Sequence, residues 1–179
     1  MKQMLKTFLA RFRRGEAGSA TVEFVIMFPL FITIMLSSVE VGMITMRHTM
    51  LERGLDLAVR DIRLGTGILP KSHSQLKDMI CDYSIYIPQC KQTLKLEMKP
   101  VDLRDSVTFA ADADCFDAVE PLKPVRTFVT GNDNELMILR ACFKFKPLYP
   151  LSGLGYALAK DGSGYSKMIA ISAFVQEPR

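Results

Sequence analysis

Two hydrophobic rhythms run along the chain, and the change between them divides it. From Phe24 to Met46 apolar residues follow one another almost unbroken, with Glu40 the only charge among them. That length meets the roughly 20 residues a bilayer-spanning helix needs. Beyond the run the period becomes helical: Leu51, Leu55, Ala58, Val59 and Ile62 recur at three- and four-residue spacing, while Glu52, Arg53, Asp56, Arg60, Asp61 and Arg63 fill the other face. Asp56 and Arg60 form a well-oriented i,i+4 pair. Gly65, Thr66 and Gly67, with Pro70 behind them, supply the cap and breaker that end such a helix. The expectation is one helix from Ser19 to Leu64, about 70 Å long at the standard rise, spanning lipid over about 24–46 and amphipathic beyond. Pro29 predicts a kink or softened turn within it, because proline leaves a backbone carbonyl without its donor. Glu40 is expected to be solvated at the outer interface rather than paired with Arg47.

After residue 65 the period shortens to two. Leu94, Leu96 and Met98 alternate with Lys95 and Glu97, and Val107 and Phe109 flank Thr108. Met137, Leu139, Ala141, Phe143 and Phe145 alternate with Arg140, Cys142, Lys144 and Lys146, and Ile169, Ile171, Ala173 and Val175 alternate up to Glu177. Turn-forming clusters at 131–134 and 161–164 separate them. This is the pattern of an antiparallel sheet with one buried face, and the amphipathic half of the helix is the natural cover for that face. The fold class is α+β: a long N-terminal helix packed on an antiparallel head of residues 65–179.

Charge and cysteines then set a topology. Lys2, Lys6, Arg11, Arg13 and Arg14 against Glu16 account for the whole net charge of +4, so the remainder is neutral and carries no basic stripe for nucleic acid. Residues 1–18 read as a basic leader that stays in the cytoplasm by the positive-inside rule, which sends the head to the periplasmic or extracellular side. Cys81, Cys90, Cys115 and Cys142 all fall in that head, an even number suited to an oxidising compartment and disulfides. Strand parity places Cys142 on the polar face, where the acidic stretch carrying Cys115 can cover it; this favours Cys115 with Cys142 and leaves Cys81 with Cys90, although the sequence alone allows three connectivities.

No catalytic constellation converges, and the chain reads as a non-enzyme without a cofactor. Ser72-His73-Ser74 lacks a third group and reads as a polar loop, so a membrane-tethered enzyme built on His73 is the weakest alternative. Gly153-Leu154-Gly155 and Gly162-Ser163-Gly164 lack phosphate-loop spacing and read as turns. Asp112, Asp114, Asp117 and Glu120 gather acids without the mid-loop glycine of an EF-hand and read as a solvated loop, not a metal site.

What remains is Gly18 to Phe24. The only small-residue junction, Ala17-Gly18-Ser19-Ala20, lies before the apolar run, so a cut there would leave the membrane helix attached. Glu23 sits five residues after Gly18 at the mouth of that helix and calls for a cation; the new α-amine of Ser19 would be one. Gly18, four residues, Glu23 and aromatic Phe24 resemble the prepilin peptidase junction of type IV pilins. Arg13-Arg14-Gly15 ahead of Ala20-Thr21-Val22-Glu23-Phe24, the early Pro29, the stretch from Pro147 to Leu151 and the terminal Phe174 to Pro178 resemble the TadE family of pseudopilins from the tight-adherence (Tad/Flp) pilus system. Phe24 stands where Flp pilins usually carry Tyr, and the head is far larger than a Flp major pilin, which favours a minor pseudopilin.

The resemblance implies a pilin-like fold and cleavage between Gly18 and Ser19 by a membrane aspartyl prepilin peptidase. It implies that Glu23, with Phe24 beside it, makes the assembly contact by neutralising the Ser19 amine of a neighbour. The implied partners are the peptidase, other pilins or pseudopilins, the inner-membrane assembly platform and the lipid bilayer; the implied outcome is an adhesive pilus serving adherence and biofilm formation. The alternative is an unprocessed single-pass anchor whose periplasmic head binds a partner.

Overall fold

A computed structural model describes residues 19–64, 72–102, 104, 115, 129, 131–151 and 153–177. The leader, the cap and breaker at 65–70, the strand expected around Val107 and Phe109, and the acidic loop apart from Cys115 lie outside the described residues.

Helix α1 runs without interruption from Ser19 to Leu64, and Pro29 does not break it. Thr33, Ser37, Ser38 and Thr49 each donate their hydroxyl to the carbonyl four residues back, at 2.7, 2.7, 2.9 and 2.9 Å. These bonds hide polar groups that an apolar helix would otherwise expose. Further along, all five residues of the apolar stripe, Leu51, Leu55, Ala58, Val59 and Ile62, are buried.

The head begins with a helix where the sequence suggested a loop: α2 spans His73–Tyr83. Ser72 is its N-cap and accepts from the Gln75 N–H at 3.4 Å, so Ser72-x-x-Gln75 was a readable capping signal. Leu76 and Ile80, one turn apart, are fully buried. At Gly54 α1 approaches α2 so closely that a Cβ would stand 2.8 Å from the Ile80 carbonyl. Ser84 Oγ ties the end of α2 to the Met50 carbonyl of α1 at 3.1 Å. A short α3, Cys90–Thr93, leads into the sheet.

The sheet holds β1 (Lys95–Pro100), β2 (Leu136–Phe145) and β3 (Ser166–Val175) in sequential antiparallel order. A second short helix, α4 (Gly153–Ala157), lies between β2 and β3 in a stretch whose glycines read as a turn. The structure is thus α+β, with the outer half of α1 packed against α2, β3 and α4. The inward residues of β1 and β2, with Leu94 just before β1, are those the period-two pattern gave: Leu94, Leu96, Met98, Met137, Leu139, Ala141, Phe143 and Phe145 are all buried.

In β3 the parity is reversed. Met168, Ala170 and Phe174 are buried, whereas Ile169, Ile171 and Val175 are 37, 61 and 46% exposed. Register explains it. Met137 lies opposite Phe174, Ala141 opposite Ala170 and Phe143 opposite Met168. Directly opposed residues share a face, so the core face of β2 selects the less conspicuous set of β3.

The opposite face is not simply solvated. Cys115 covers Cys142 through a disulfide, their Cα atoms 5.1 Å apart, and Cys81 bonds Cys90 across 5.6 Å, the pairing that parity favoured. On the same face Arg140 and Glu97, cross-strand neighbours, are 6% exposed each. Arg140 Nε and Nη2 both converge on one Glu97 carboxylate oxygen.

Candidate assembly end and head clasp

The two halves of α1 present opposite chemistry. In the inner half Val22, Val25, Ile26, Met27, Leu30 and Phe31 are about equally exposed at 60–62%, so no side of the helix is covered by the head. This is the one helix among the described residues long and apolar enough to cross a membrane, with a mean hydropathy of 2.1 in its most apolar window. Glu23 is exposed at its start, and its carboxylate meets no partner among the described residues. Phe24 is 60% exposed and stacks on Phe28 one turn on, centroids 4.8 Å apart. Ser19 opens the helix, which places it one turn, about 6 Å along the axis, before Glu23. Gly18 lies outside the described residues.

Glu40 departs from its expected role. It is 2% exposed, and its two carboxylate oxygens accept the backbone N–H groups of Leu148 at 3.0 Å and Tyr149 at 2.9 Å. Neither bulk water nor Arg47 is its partner: Arg47 instead stands over the Phe145 ring at 6.0 Å. Glu40 is therefore a clasp between α1 and the segment after β2. Pro147 and Pro150 have no N–H, so Leu148 and Tyr149 stand as two consecutive donors between fixed φ angles. A carboxylate inside an apolar run needs such a pair. The contact continues at Gly153, whose φ of +53° favours glycine and whose missing Cβ lets α4 lie against Ser37.

His73 bridges two elements of the head. Its Nε2 accepts the Leu96 N–H at 3.3 Å, tying α2 to β1, and burial together with the charge of Lys77 holds its pKa below the usual value. Ser72 and Ser74 stand beside it as capping hydroxyls 3.0 Å apart. The turn at 161–164 is built on Asp161. One of its oxygens accepts the Ser163 and Tyr165 N–H groups at 3.0 and 2.9 Å, and the other pairs with Lys144 at 2.8 Å. The Lys144 bond, then those N–H donors, hold its carboxyl below the usual carboxylate range against some desolvation. Among the described residues no three His, Cys, Asp or Glu side chains gather as a metal site.

Residues 18–60, which are nearly the whole of α1 with the residue before it, match the family described as TadE-like protein. No curated protein and no solved structure matches the chain.

Proposed function

We infer the role of the protein from one premise: the chain is a TadE-like protein of the Tad pilus system, matched over residues 18–60. The reading that follows is a minor pseudopilin, a non-enzymatic subunit that initiates, caps or adjusts assembly of an adhesive pilus. A prepilin peptidase in the inner membrane hydrolyses the Gly18–Ser19 peptide bond, leaving the carboxylate on the leader and a free α-amine on Ser19. The helix stays in the membrane with the head on the periplasmic side.

The observation that carries this reading is the contrast within α1. Its outer half is committed to the head, while its inner half offers apolar surface all round and ends in an exposed Glu23 without a partner among the described residues. A lone carboxylate within hydrocarbon is costly, about 2.5–3.5 kcal/mol at the centre of a span on insertion scales and less toward its end. The Ser19 ammonium of a neighbouring pilin removes that cost as helices gather into a fibre. Such a pair fixes the axial register between helices even where its net stabilisation is small.

Intact-mass measurement and N-terminal sequencing test the reading, on protein from cells with and without the peptidase. The expected result is a chain beginning at Ser19 only where the peptidase is present. A full-length chain in both would leave an unprocessed anchor instead. Glu23→Ala is expected to be cleaved and folded normally yet lost from sheared pili.

A further inference from the structure

Two windows of α1 contain about the 20 residues that cross a hydrocarbon core. One, 24–46, includes Glu40; the other, 19–39, includes Glu23 as its only charge. The head decides between them. The segment from Pro147 to Ala157 meets α1 at Ser37 and Glu40, inside the apolar run. Lipid reaching to Met46 would submerge that segment by about 14 Å, nine residues at the helix rise. Irregular backbone is not tolerated facing lipid at such depth. The outer boundary therefore lies near Ser37. Counting back to Ser19 gives about 27 Å at the helix rise, close to the thickness of a hydrocarbon core, and places the inner boundary five residues after Arg14 of the leader.

At that outer level the docked segment carries an unusual load of exposed apolar surface. Leu151 is 89% exposed, Tyr156 72% and Leu148 46%. Lys160 stands over the Tyr156 ring at 5.8 Å and donates to the Tyr156 carbonyl at 3.0 Å. Apolar anchors, a tyrosine and a lysine beside it are the residues that settle at a bilayer interface. We propose that residues 147–151 and 153–157 form a foot seated in the outer leaflet. Leu148, Leu151 and Tyr156 enter the boundary between headgroups and acyl chains, Lys160 faces the phosphates of anionic lipid, and the Glu40 clasp sets the height of the foot on the helix. The head is then held by two attachments, span and foot, which fix its tilt. The proposal requires only that α1 crosses a membrane, so it stands or falls separately from cleavage at Ser19.

The chain contains no tryptophan, so single substitutions give unambiguous fluorescent probes. Leu151→Trp and Tyr156→Trp would be measured in the full chain reconstituted into phosphatidylethanolamine–phosphatidylglycerol vesicles, with and without bromine on the acyl chains. Phe31→Trp, within the span, is the quenched reference. Ile85→Trp is the aqueous one, since Ile85 adjoins Ser84, which bonds Met50, about 20 Å beyond Ser37 at the helix rise. Non-reducing peptide mapping of each variant verifies both disulfides and hence head folding. The expected result is blue-shifted emission from positions 151 and 156, largely lost to brominated lipid as at position 31, with position 85 unaffected. Emission at 151 and 156 resembling that at 85 would overturn the foot. So would a blue shift without bromine quenching, which would assign this surface to another protein chain.

Discussion

Replacing Glu40 tests whether the clasp holds the head to the helix. Each backbone hydrogen bond to a charged acceptor contributes about 1.5–3 kcal/mol net. Part of that gain offsets the burial of the carboxylate, and Glu40→Ala leaves both the Leu148 and Tyr149 N–H groups without their acceptor. The expected loss is about 2–5 kcal/mol. For a head of roughly 110 residues that corresponds to a fall of about 10–20 °C in Tm. Glu40→Gln keeps the shape and one acceptor but turns an amide N–H₂ toward the other donor, so about half the loss is expected. Near-UV circular dichroism of the tyrosines, in lipid nanodiscs, follows unfolding of the head while α1 stays helical. Hydrogen exchange at the amides of Leu148 and Tyr149 reads the clasp itself, with about tenfold faster exchange for each 1.4 kcal/mol of local opening lost. If Glu40→Ala left both the Tm and these two exchange rates unchanged, the clasp would have no energetic meaning and the geometric argument for it would be refuted.

Further consequences can be measured in the same preparation. Cys115→Ser with Cys142→Ser opens a crosslink of sequence separation 27 and should cost ~3.5 kcal/mol, against ~2.7 for Cys81→Ser with Cys90→Ser at separation 9, on the chain-entropy estimate; equal urea midpoints for the two variants would contradict that ordering. Glu97→Gln removes the carboxylate charge facing the buried Arg140 guanidinium and should lose about 3–5 kcal/mol, whereas Glu97→Leu with Arg140→Met should recover most of it; additive losses in the double-mutant cycle would rule out a coupled pair. Two groups make the head less stable in acid. His73 binds its proton more weakly folded than unfolded, so its contribution is complete above the unfolded pKa of about 6.5 and declines as pH falls through the lower folded value. Asp161 acts in the same sense over the carboxylate range. His73→Gln should flatten the urea midpoint between neutral and mildly acidic pH, and an unchanged pH profile would show that His73 is not the group responsible.

Much of this architecture could be read from single residues and their periods. The 46-residue helix, its buried stripe from Leu51 to Ile62, and the inward faces of β1 and β2 follow from local spacing, because burial of one face imposes the period directly. Disulfide pairing followed in part for the same reason, since parity puts Cys142 on the face away from the core. That Glu23 stands at the start of the apolar helix was also legible, because a charge at the mouth of such a run stands out without any knowledge of tertiary contacts.

Tertiary structure decided what two distant segments do to each other. In β3 both parities are apolar, so only the register against β2 could choose Met168, Ala170 and Phe174 over Ile169, Ile171 and Val175. Helix α2 hid in a polar opening whose cap, Ser72, resembles loop sequence until Leu76 and Ile80 find α1 and the sheet. Glu40 changed most. By itself it is a charge near a membrane surface. Its partners lie 108 and 109 residues away, and they are backbone N–H groups, which every residue but proline has and which leave no signature in side-chain chemistry. On the proposal of a membrane foot, it is that contact, rather than the length of the apolar run, that sets the level at which lipid ends on α1.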